Sequence, residues 1–311
     1  MSMKPNFFII GAPKCGTSAL AHYLGENEQV FMTDPKEPFY FSSDYPELKN
    51  QHFLTDDSSY LALYKNADPA QHIAVGEAST NYLASEVAID NALAMTPDAK
   101  FIVLLRNPVE VAHAFHMEQV FARNEDEEDF EAAWDLQEAR AQGQRIPDSC
   151  FAPQFLMYRD VARYPEQVER FFAKVPKNRR LVLFQEDLKR DTRGLYVKSL
   201  EFLGISDDGR TDFPIMNASH KHRSEFIANL VLRPPKWLQP AVWALRNYAR
   251  RNKPAFIEAV KSKLRVKAKR ADMPNAVKAN LYSVFHQDVE RLEEILGVEL
   301  PDWKQNERHP G

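Results

Sequence analysis

A short turn near the amino end of the chain carries the residues with the clearest chemical potential. An apolar run over residues 7–10 leads into it, and it reads Gly11-Ala12-Pro13-Lys14-Cys15-Gly16-Thr17-Ser18-Ala19. A turn between a buried strand and a helix points several backbone N–H groups at one position, where the helix dipole also favours an anion. Lys14 adds a positive charge, and Gly16 lets an anion approach the backbone closely. The turn therefore predicts a site for a phosphate or sulfate group, with the hydroxyls of Thr17 and Ser18 as further donors.

The same turn departs from the loop that magnesium-dependent nucleotide hydrolases use. In that loop a lysine directly follows the second glycine and Ser or Thr comes next, whereas Lys14 precedes Gly16 by two residues. The apolar run of residues 101–105 ends in Arg106 and not in an aspartate that would bind magnesium. The nine histidines also lack the spacing of metal ligands. We therefore expect neither magnesium-dependent hydrolysis nor a bound metal.

Arg106 is the second candidate for anion binding. It directly follows the run Phe-Ile-Val-Leu-Leu and precedes Asn107-Pro108, which is typical of a helix start. Ligands of open α/β sheets bind beyond the carboxyl ends of the strands, and a guanidinium grips a phosphate in a bidentate way. We therefore favour ligand binding by Arg106 over a surface ion pair.

Five short apolar runs predict the strands that position these side chains. They are residues 7–10, 29–32, 73–75, 101–105 and 181–184. A run without polar alternation, such as 101–105, is typical of a strand buried on both faces of a parallel sheet. The stretches between the runs predict helices, among them residues 17–24, 86–95, a helix from Pro108 and residues 191–203. This alternation predicts an α/β fold with a central, mostly parallel sheet of about five strands.

The last third of the chain has a different pattern. Residues 223–297 are predicted to be helical throughout, since apolar residues repeat at helical spacing up to Gly297. The chain shows neither an internal repeat nor a low-complexity linker. We therefore expect a single domain over residues 1–311, with an α/β core at 1–222 and a helical part at 223–311.

Two runs of charge require interpretation. Residues 246–270 contain ten lysines or arginines and one acid, Glu258, and tryptophans lie nearby at 237 and 243. The basic region 237–270 fits a solvated helix pair as well as a surface for an anionic acceptor or for peripheral contact with a lipid membrane. Residues 125–135 contain seven acids and no base, and we interpret them as a solvated loop.

Composition narrows the class of protein. The chain has 311 residues, 44% of them hydrophobic, and a formal net charge of −4, which is typical of a soluble globular protein without nucleic acid as its main partner. Two cysteines, Cys15 and Cys150, exclude a disulfide framework. Its apolar runs fall far short of the ~20 residues that a membrane span needs. With the first strand predicted so near the start, we expect no leader or anchor and a cytoplasmic location.

Several motifs, taken in order, resemble one family. Pro13-Lys14-Cys15-Gly16-Thr17-Ser18 and Leu105-Arg106-Asn107-Pro108 resemble the 5′-phosphosulfate loop and the 3′-phosphate motif of sulfotransferases that use 3′-phosphoadenylyl sulfate (PAPS), especially bacterial and heparan-type members. Further similar segments run up to about residue 224 and are Gly76-Glu77-Ala78-Ser79, Glu186-Asp187-Leu188, Phe202-Leu203-Gly204, Asn217-Ala218-Ser219 and Arg223-Ser224. The resemblance implies a P-loop-like three-layer fold and sulfuryl transfer from PAPS to a hydroxyl or amine without a metal.

The resemblance also implies roles for individual residues. Lys14 would lie by the oxygen that bridges sulfur and the 5′-phosphate, where negative charge develops as the bond breaks. The 5′-phosphate would be held by the backbone N–H groups of residues 15–19 and the hydroxyls within them, that is by Cys15, Gly16, Thr17, Ser18 and Ala19. Arg106 would bind the 3′-phosphate. Cys15 lies where a helix start would make its thiol acidic, but we assign it no nucleophilic role.

One departure from the family concerns the 3′-phosphate. The family has a serine eight residues after the arginine, where this chain has Ala114. The lost hydrogen bond is worth on the order of 1–3 kcal/mol if nothing replaces it. We favour Arg223 as the replacement, ahead of His113 and Lys221.

A general base would remove the proton of the acceptor. Lys36-Glu37-Pro38-Phe39-Tyr40-Phe41 resembles the heparan-type segment whose glutamate is the base, so the resemblance implies that role for Glu37. Glu77 is a second candidate, and His113 and His116 are weaker ones. A solvated loop carboxylate remains the alternative for Glu37.

Two other functions remain open from the sequence. One is a small-molecule kinase that uses ATP and magnesium on a similar scaffold. The other is a degenerate family member that binds a nucleotide without catalysis, which the alanine at position 114 and the altered residues 78–80 would allow. The acceptor class is open among saccharides, lipids, polyketides and small alcohols, and the sequence does not give the oligomeric state.

Overall fold

The structure is a computed structural model that describes residues 3–49, 54–214, 220–222, 265–267 and 272–304. Within these residues the chain divides into two compact units. The first comprises residues up to 112, 159–214 and 275–304, and the second comprises 113–158 with described residues of the 217–274 segment. The prediction of one domain over 1–311 stays a prediction.

The first unit is built on a five-stranded sheet whose strands are all parallel. The strands are β1 (Phe7–Ile9), β2 (Val30–Met32), β3 (Ala74–Ala78), β4 (Lys100–Leu105) and β5 (Arg180–Phe184). Their order across the sheet is β2-β3-β1-β4-β5. The prediction of a mostly parallel sheet of about five strands is confirmed.

Two central strands are buried because they carry apolar side chains on both faces. Phe7, Phe8 and Ile9 of β1 and residues 101–105 of β4 have no exposed surface. Strand β3 can lie beside β1 because Gly76 has no side chain: a Cβ there would come within 2.5 Å of Phe7. Apolar burial of this kind stabilises the sheet by about 25 cal/mol per Å².

Helices flank the strands in the described residues. Their bounds are α1 (Thr17–Gly25), α2 (Pro46–Lys49), α3 (Asp57–Leu61), α4 (Ala88–Met95), α5 (Pro108–Phe121), α6 (Phe130–Asp135), α7 (Gln137–Ala141), α8 (Tyr158–Ala162), α9 (Tyr164–Lys174), α10 (Gln185–Arg190), α11 (Thr192–Leu203) and α12 (Asn275–Leu296). None of the helices in the described part is long and apolar enough to cross a membrane.

The predicted helix ends follow from local capping chemistry. Asn107 Oδ1 accepts a hydrogen bond from the Val109 N–H at 3.0 Å, and Pro108 is the first residue of α5. Gly204 ends α11 with φ of 87°, a conformation that glycine adopts without steric cost. These elements place Arg106 directly between the end of β4 and the start of α5.

The helical prediction for the last third holds in part. Helix α12 confirms it for residues 275–296, but Arg265–Lys267 forms a strand that pairs antiparallel with His220–His222. The prediction of a helix throughout 223–297 is therefore wrong at residues 265–267. The alternating pattern Arg-Val-Lys there suits a strand as well as a helix. Most of the basic region 237–270 lies outside the described residues.

The second unit contains a buried ion pair that corrects the interpretation of the acidic run. Glu125 is 2% exposed and accepts two hydrogen bonds from Arg140, at 2.6 and 2.7 Å, and one from Tyr158. Burial alone would raise the pKa of Glu125, but the Arg140 guanidinium and the Tyr158 hydroxyl hold it below its usual value. Glu125 is thus part of a core and not of a solvated loop, since Arg140 from α7 neutralises it.

Candidate functional site

The predicted anion site, here called the anion loop (residues 11–19), connects β1 to α1. Gly16 has φ of 95°, a backbone conformation that glycine adopts without steric cost, and a Cβ there would lie 2.7 Å from the end of the Leu188 side chain. Lys14 also adopts a positive φ, 64°. Left-handed residues of this kind occur in the nests of successive N–H groups that bind anions in other proteins.

The backbone N–H groups of the anion loop divide into two sets. The Cys15 N–H donates to Ala12 O at 3.4 Å, and the Ala19 N–H donates to Gly16 O at 3.0 Å. Among the described residues, the N–H groups of Gly16, Thr17 and Ser18 have no acceptor within the protein. These three N–H groups at the start of α1 are the donors that an anion would meet.

Cys15 corrects the expectation of an acidic thiol. Its side chain has no exposed surface, and Sγ lies 3.8 Å from the Tyr164 hydroxyl and 3.4 Å from Pro13 O. Burial raises the pKa of the Cys15 thiol to about 12, although Tyr164 and Arg106 act in the opposite direction. Burial of the thiol is thus the largest influence on its pKa.

Arg106 lies beside the anion loop. Its guanidinium donates from Nη1 to Lys14 O at 3.3 Å and from Nη2 to Glu110 Oε2 at 2.9 Å. The side chain is 4% exposed, which is the burial of an internal residue and not of a surface ion pair. Two predicted binding residues that are 92 positions apart are thus brought together at the carboxyl edge of β1 and β4.

Tyr164 of α9 fixes this junction, and the sequence reasoning missed it. Its hydroxyl donates to Arg106 O at 3.0 Å and faces Cys15 Sγ. Tyr164 is 1% exposed. The sequence gives only a weak signal for this role, because a single tyrosine next to a proline does not indicate which distant loop it contacts.

Glu37 lies in a loop of residues 36–41, here called the Glu37 loop. Glu37 has φ of 61° and Phe39 has φ of 52°, conformations that side-chain-bearing residues rarely adopt. The Glu37 side chain is 35% exposed, forms an ion pair with Lys36 and accepts from Thr80 Oγ1 at 3.4 Å. Its N–H donates to Ala78 O at 3.1 Å, which holds the loop at the carboxyl end of β3.

Glu77 lies within β3 and has no exposed surface. Its carboxylate accepts from the hydroxyls of Tyr60 at 2.7 Å, Ser79 at 2.6 Å and Tyr82 at 3.0 Å. Burial raises the pKa of Glu77 to about 7, although the three hydroxyls and Lys36 act in the opposite direction. The sequence predicted a strand that ends at residue 75, before a glycine and an acid. In the structure the strand continues through the acid, because the three hydroxyls form hydrogen bonds to it.

The other predicted site residues are not part of this arrangement as described. His113 is buried against Phe130, and His116 is buried with Nε2 2.8 Å from Glu127 O, both within the second unit. Ala114 is also buried. Arg223 lies outside the described residues, as does the side chain of Lys221. The described residues contain no group of three or more His, Cys, Asp or Glu that would hold a metal ion.

Comparison with protein families gives a match over most of the chain. Residues 4–231 match the family described as the sulfotransferase domain. The match includes the anion loop, the Glu37 loop, Glu77 and Arg106.

Individual relatives agree with this family at low identity. Human bifunctional heparan sulfate N-deacetylase/N-sulfotransferase 3 is 23% identical over 208 residues, which cover 65% of this chain and 22% of that protein. Membrane-associated sulfotransferase kil1 of Dictyostelium discoideum is 33% identical over 109 residues, which cover 34% of this chain and 21% of that protein. This chain spans about a fifth of the length of these curated relatives.

A solved structure shares the fold over nearly the whole chain. The crystal structure of a sulfotransferase from Alicyclobacillus acidocaldarius superposes with a TM-score of 0.71 at 24% identity, covering 97% of this chain and 100% of that chain. The parallel sheet and the strand-to-helix anion loop described above are thus set in a fold that a sulfotransferase also adopts. With residues 4–231 matching the domain model, the chain belongs to the sulfotransferase family.

Proposed function

We propose that this protein transfers a sulfuryl group from PAPS to a hydroxyl or amine of an acceptor. The observation that carries the proposal is the hydrogen bond from the Arg106 guanidinium to the Lys14 carbonyl. It brings a cationic side chain to the backbone of the anion loop, whose N–H groups at Gly16, Thr17 and Ser18 have no acceptor among the described residues. PAPS carries one phosphate on the 5′ position and one on the 3′ position of its ribose, so two neighbouring anion sites suit it.

The donor would bind with each phosphate at its own site. The N–H groups of Gly16, Thr17 and Ser18 would hold the 5′-phosphate, with Cys15 and Ala19 shaping the loop through their internal bonds. The guanidinium of Arg106 would bind the 3′-phosphate, with Arg223 as the expected second group there. Charged hydrogen bonds of this kind are the strong ones.

The reaction would be a single in-line displacement. The acceptor oxygen or nitrogen forms a bond to sulfur as the bond from sulfur to the 5′-phosphate oxygen breaks, and adenosine 3′,5′-bisphosphate (PAP) leaves. Lys14 would stabilise the charge that develops on the leaving oxygen. The acceptor proton would pass to a carboxylate, and no residue in this step requires a metal.

Glu37 is the better candidate for that carboxylate. Its side chain is partly exposed, whereas Glu77 is fully buried and accepts three internal hydrogen bonds. A base must reach the proton that it removes, either directly or through one water. Glu77 is therefore assigned no contact with the acceptor.

The acceptor class is proposed from the relatives. The human relative's name assigns it N-sulfotransferase activity on heparan sulfate. A saccharide amine or hydroxyl is therefore the first class to test, ahead of a lipid or a small alcohol.

A Lys14→Ala variant tests the function. With sulfur-labelled PAPS and three acceptor probes (N-desulfated heparan sulfate, an unsulfated polysaccharide with free hydroxyls, and 4-nitrophenol), we expect transfer by the wild type and a loss of at least 100-fold in kcat for the variant. The reason is that stabilising a leaving group by a fixed charge contributes about 3–4 kcal/mol. Circular dichroism should show an unchanged fold.

The control is a lysine in the same unit but away from the loop. Lys174→Ala removes a cation that bonds Glu86 O and Asp90, and it should leave turnover unchanged. Retained turnover by Lys14→Ala would contradict the proposal. Tight binding of ATP without binding of PAP would favour a kinase instead.

A further inference from the structure

We infer that Glu77 is a positioning residue that fixes the Glu37 loop through a relay of buried hydroxyls. The relay comprises Glu77, Tyr60, Ser79 and Tyr82. Its catalytic consequence rests on the proposed function, since that function makes Glu37 the base, but the relay itself is a property of the described structure.

The first step is that the relay connects Glu77 to the backbone of the Glu37 loop. Ser79 Oγ accepts from the Phe39 N–H at 3.2 Å, and the Tyr82 hydroxyl accepts from the Phe41 N–H at 3.2 Å. The same two hydroxyls donate to Glu77, at 2.6 and 3.0 Å. Each hydroxyl therefore lies between the carboxylate and one loop amide.

The second step concerns the direction of each hydrogen bond. A hydroxyl has one proton, and a backbone N–H can only donate. Ser79 and Tyr82 can accept from the loop amides with good geometry only when their own protons point elsewhere, and Glu77 takes both of those protons. Tyr60 also donates to Glu77, so the Tyr64 hydroxyl, 2.8 Å from that of Tyr60, is the donor of that pair. The Glu77 carboxylate thus sets the direction of the hydrogen bonds that the relay hydroxyls form.

The third step is that the loop needs such support. Glu37 and Phe39 both have positive φ, a conformation that residues with side chains rarely adopt, so surrounding bonds must hold them there. The loop's amides donate from Glu37 N to Ala78 O, from Phe39 N to Ser79 and from Phe41 N to Tyr82. The last two bonds end on the relay.

The fourth step is packing, which keeps the relay dry. Tyr60, Tyr82, Ser79 and Glu77 each have no exposed surface. Tyr40 stacks on Tyr60 with ring centroids 4.4 Å apart, and Phe41 meets Tyr60 edge-on at 5.1 Å. Burial of these hydroxyls keeps solvent from competing for their hydrogen bonds to the two amides.

Residue-resolved amide hydrogen exchange of the full chain tests the relay directly. In Ser79→Ala the Phe39 amide should exchange at least about fivefold faster than in the wild type, and in Tyr82→Phe the Phe41 amide should do so, because each loses a bond worth about 1 kcal/mol. In Glu77→Gln one acceptor oxygen becomes an N–H₂ donor, so one or both of these amides should also exchange faster.

Two matched variants control for the loss of a buried hydroxyl. Ser42→Ala removes a fully buried serine whose hydroxyl donates to Asn81, and Tyr64→Phe removes a hydroxyl that faces Tyr60 but no amide. Neither should change exchange at Phe39 or Phe41. Unchanged exchange at Phe39 and Phe41 in the relay variants, or an equal increase in the controls, would overturn the inference.

Kinetics distinguish positioning from general destabilisation. With an acceptor probe that the wild type sulfates, the Ser79 and Tyr82 variants should lower kcat about tenfold while the KM for PAPS and the affinity for PAP stay unchanged, because the anion loop is untouched. A parallel rise in the KM for PAPS would contradict positioning of Glu37. Failure of the wild type to sulfate any probe would count against the proposed function instead, and the exchange result would still decide the relay.

Discussion

Arg106 shows at the scale of one residue how a buried guanidinium can serve a ligand. Part of its donor capacity goes to Lys14 O and Glu110, and its planar fork has further N–H groups for a phosphate. Lysine carries the same charge but cannot bind in a bidentate way.

Arg106→Lys is therefore predicted to weaken PAP binding selectively. The dissociation constant for PAP should rise about 10-fold to 100-fold, because charged hydrogen bonds contribute about 1.5–3 kcal/mol. The affinity for adenosine 5′-phosphate, which lacks the 3′-phosphate, should not change. Isothermal titration calorimetry of both nucleotides measures this.

Arg163→Lys provides the control, since Arg163 forms exposed ion pairs with Glu166 and Asp288 and lies outside the anion loop. An equal loss of affinity for both nucleotides in Arg106→Lys would place Arg106 away from the 3′-phosphate.

Cys15 is predicted to be chemically inert in the native protein. A thiol with a pKa raised to about 12 by burial holds almost no thiolate at neutral pH, and the thiolate is the form that reacts. Native protein at pH 7.5 treated with iodoacetamide should be alkylated at Cys150, which is partly exposed, well before Cys15. Peptide mass spectrometry gives both rates, and faster alkylation at Cys15 would contradict its burial.

At the scale of elements, Asn107 connects the start of α5 to the carboxyl-terminal part of the chain. Its side chain caps the helix through the Val109 N–H and donates to the Tyr282 hydroxyl and to Asp302 O, each at 3.2 Å. Strand β4, helix α5 and helix α12 thus meet at the residue that follows Arg106.

Asn107→Ala is predicted to lower the free energy of unfolding by about 2–3 kcal/mol. The lost cap accounts for about 1 kcal/mol, and two partners lose a donor, the buried Tyr282 hydroxyl and the carbonyl of the exposed Asp302. Urea denaturation measures the change. Asp191→Ala is the matched control, because Asp191 caps α11 through one exposed bond to the Gly194 N–H and should cost about 1 kcal/mol. Equal losses would mean that the bonds to Tyr282 and Asp302 contribute nothing.

At the scale of the whole molecule, Glu77 and Glu125 are buried acids with opposite pKa shifts. Glu125 has Arg140 as a full countercharge, so its pKa falls. Glu77 is bonded by neutral hydroxyls with Lys36 as a nearby charge, so burial dominates and its pKa rises to about 7. The difference follows from the identity of the partners, since both carboxylates are removed from water.

Glu77 is predicted to make stability fall as pH rises. The folded state holds its proton up to about pH 7, whereas the unfolded chain releases it near 4.5, so its contribution is complete below pH 4.5 and is lost by pH 7. The size is about 3 kcal/mol at 1.36 kcal/mol per pKa unit. Glu77 accepts every hydrogen bond of the relay only when its carboxylate is ionised. The ionised form therefore positions the loop, and it is also the form in which the folded state is less stable.

Urea unfolding of the wild type and of Glu77→Gln at pH 5 and pH 8 measures this contribution. Glutamine does not titrate, so the stability of the variant relative to the wild type should rise by about 2–3 kcal/mol between the two pH values. A difference between wild type and Glu77→Gln that is independent of pH would contradict the raised pKa.

Much of the fold was predictable because its signals are local. Unbroken apolar runs indicated buried parallel strands, and capping residues such as Asn107 and Gly204 marked helix ends. The position of the anion loop between a strand and a helix was predictable for the same reason, since Lys14, Gly16 and the following hydroxyls lie within one turn. The binding of an anion there stays a prediction.

Tertiary structure decided what depends on residues far apart in the chain. The sequence offered the acid at position 77 as a second candidate base, and in the structure it is a buried acceptor because the hydroxyls of Tyr60 and Tyr82 donate to it. Cys15 lost its expected acidity because burial removes its thiol from water, although the hydroxyl of Tyr164, 149 residues away, acts in the opposite direction. The sequence determines which groups are present and their local geometry, but the pKa and the role of a buried group depend on desolvation and partners, which only the folded chain sets.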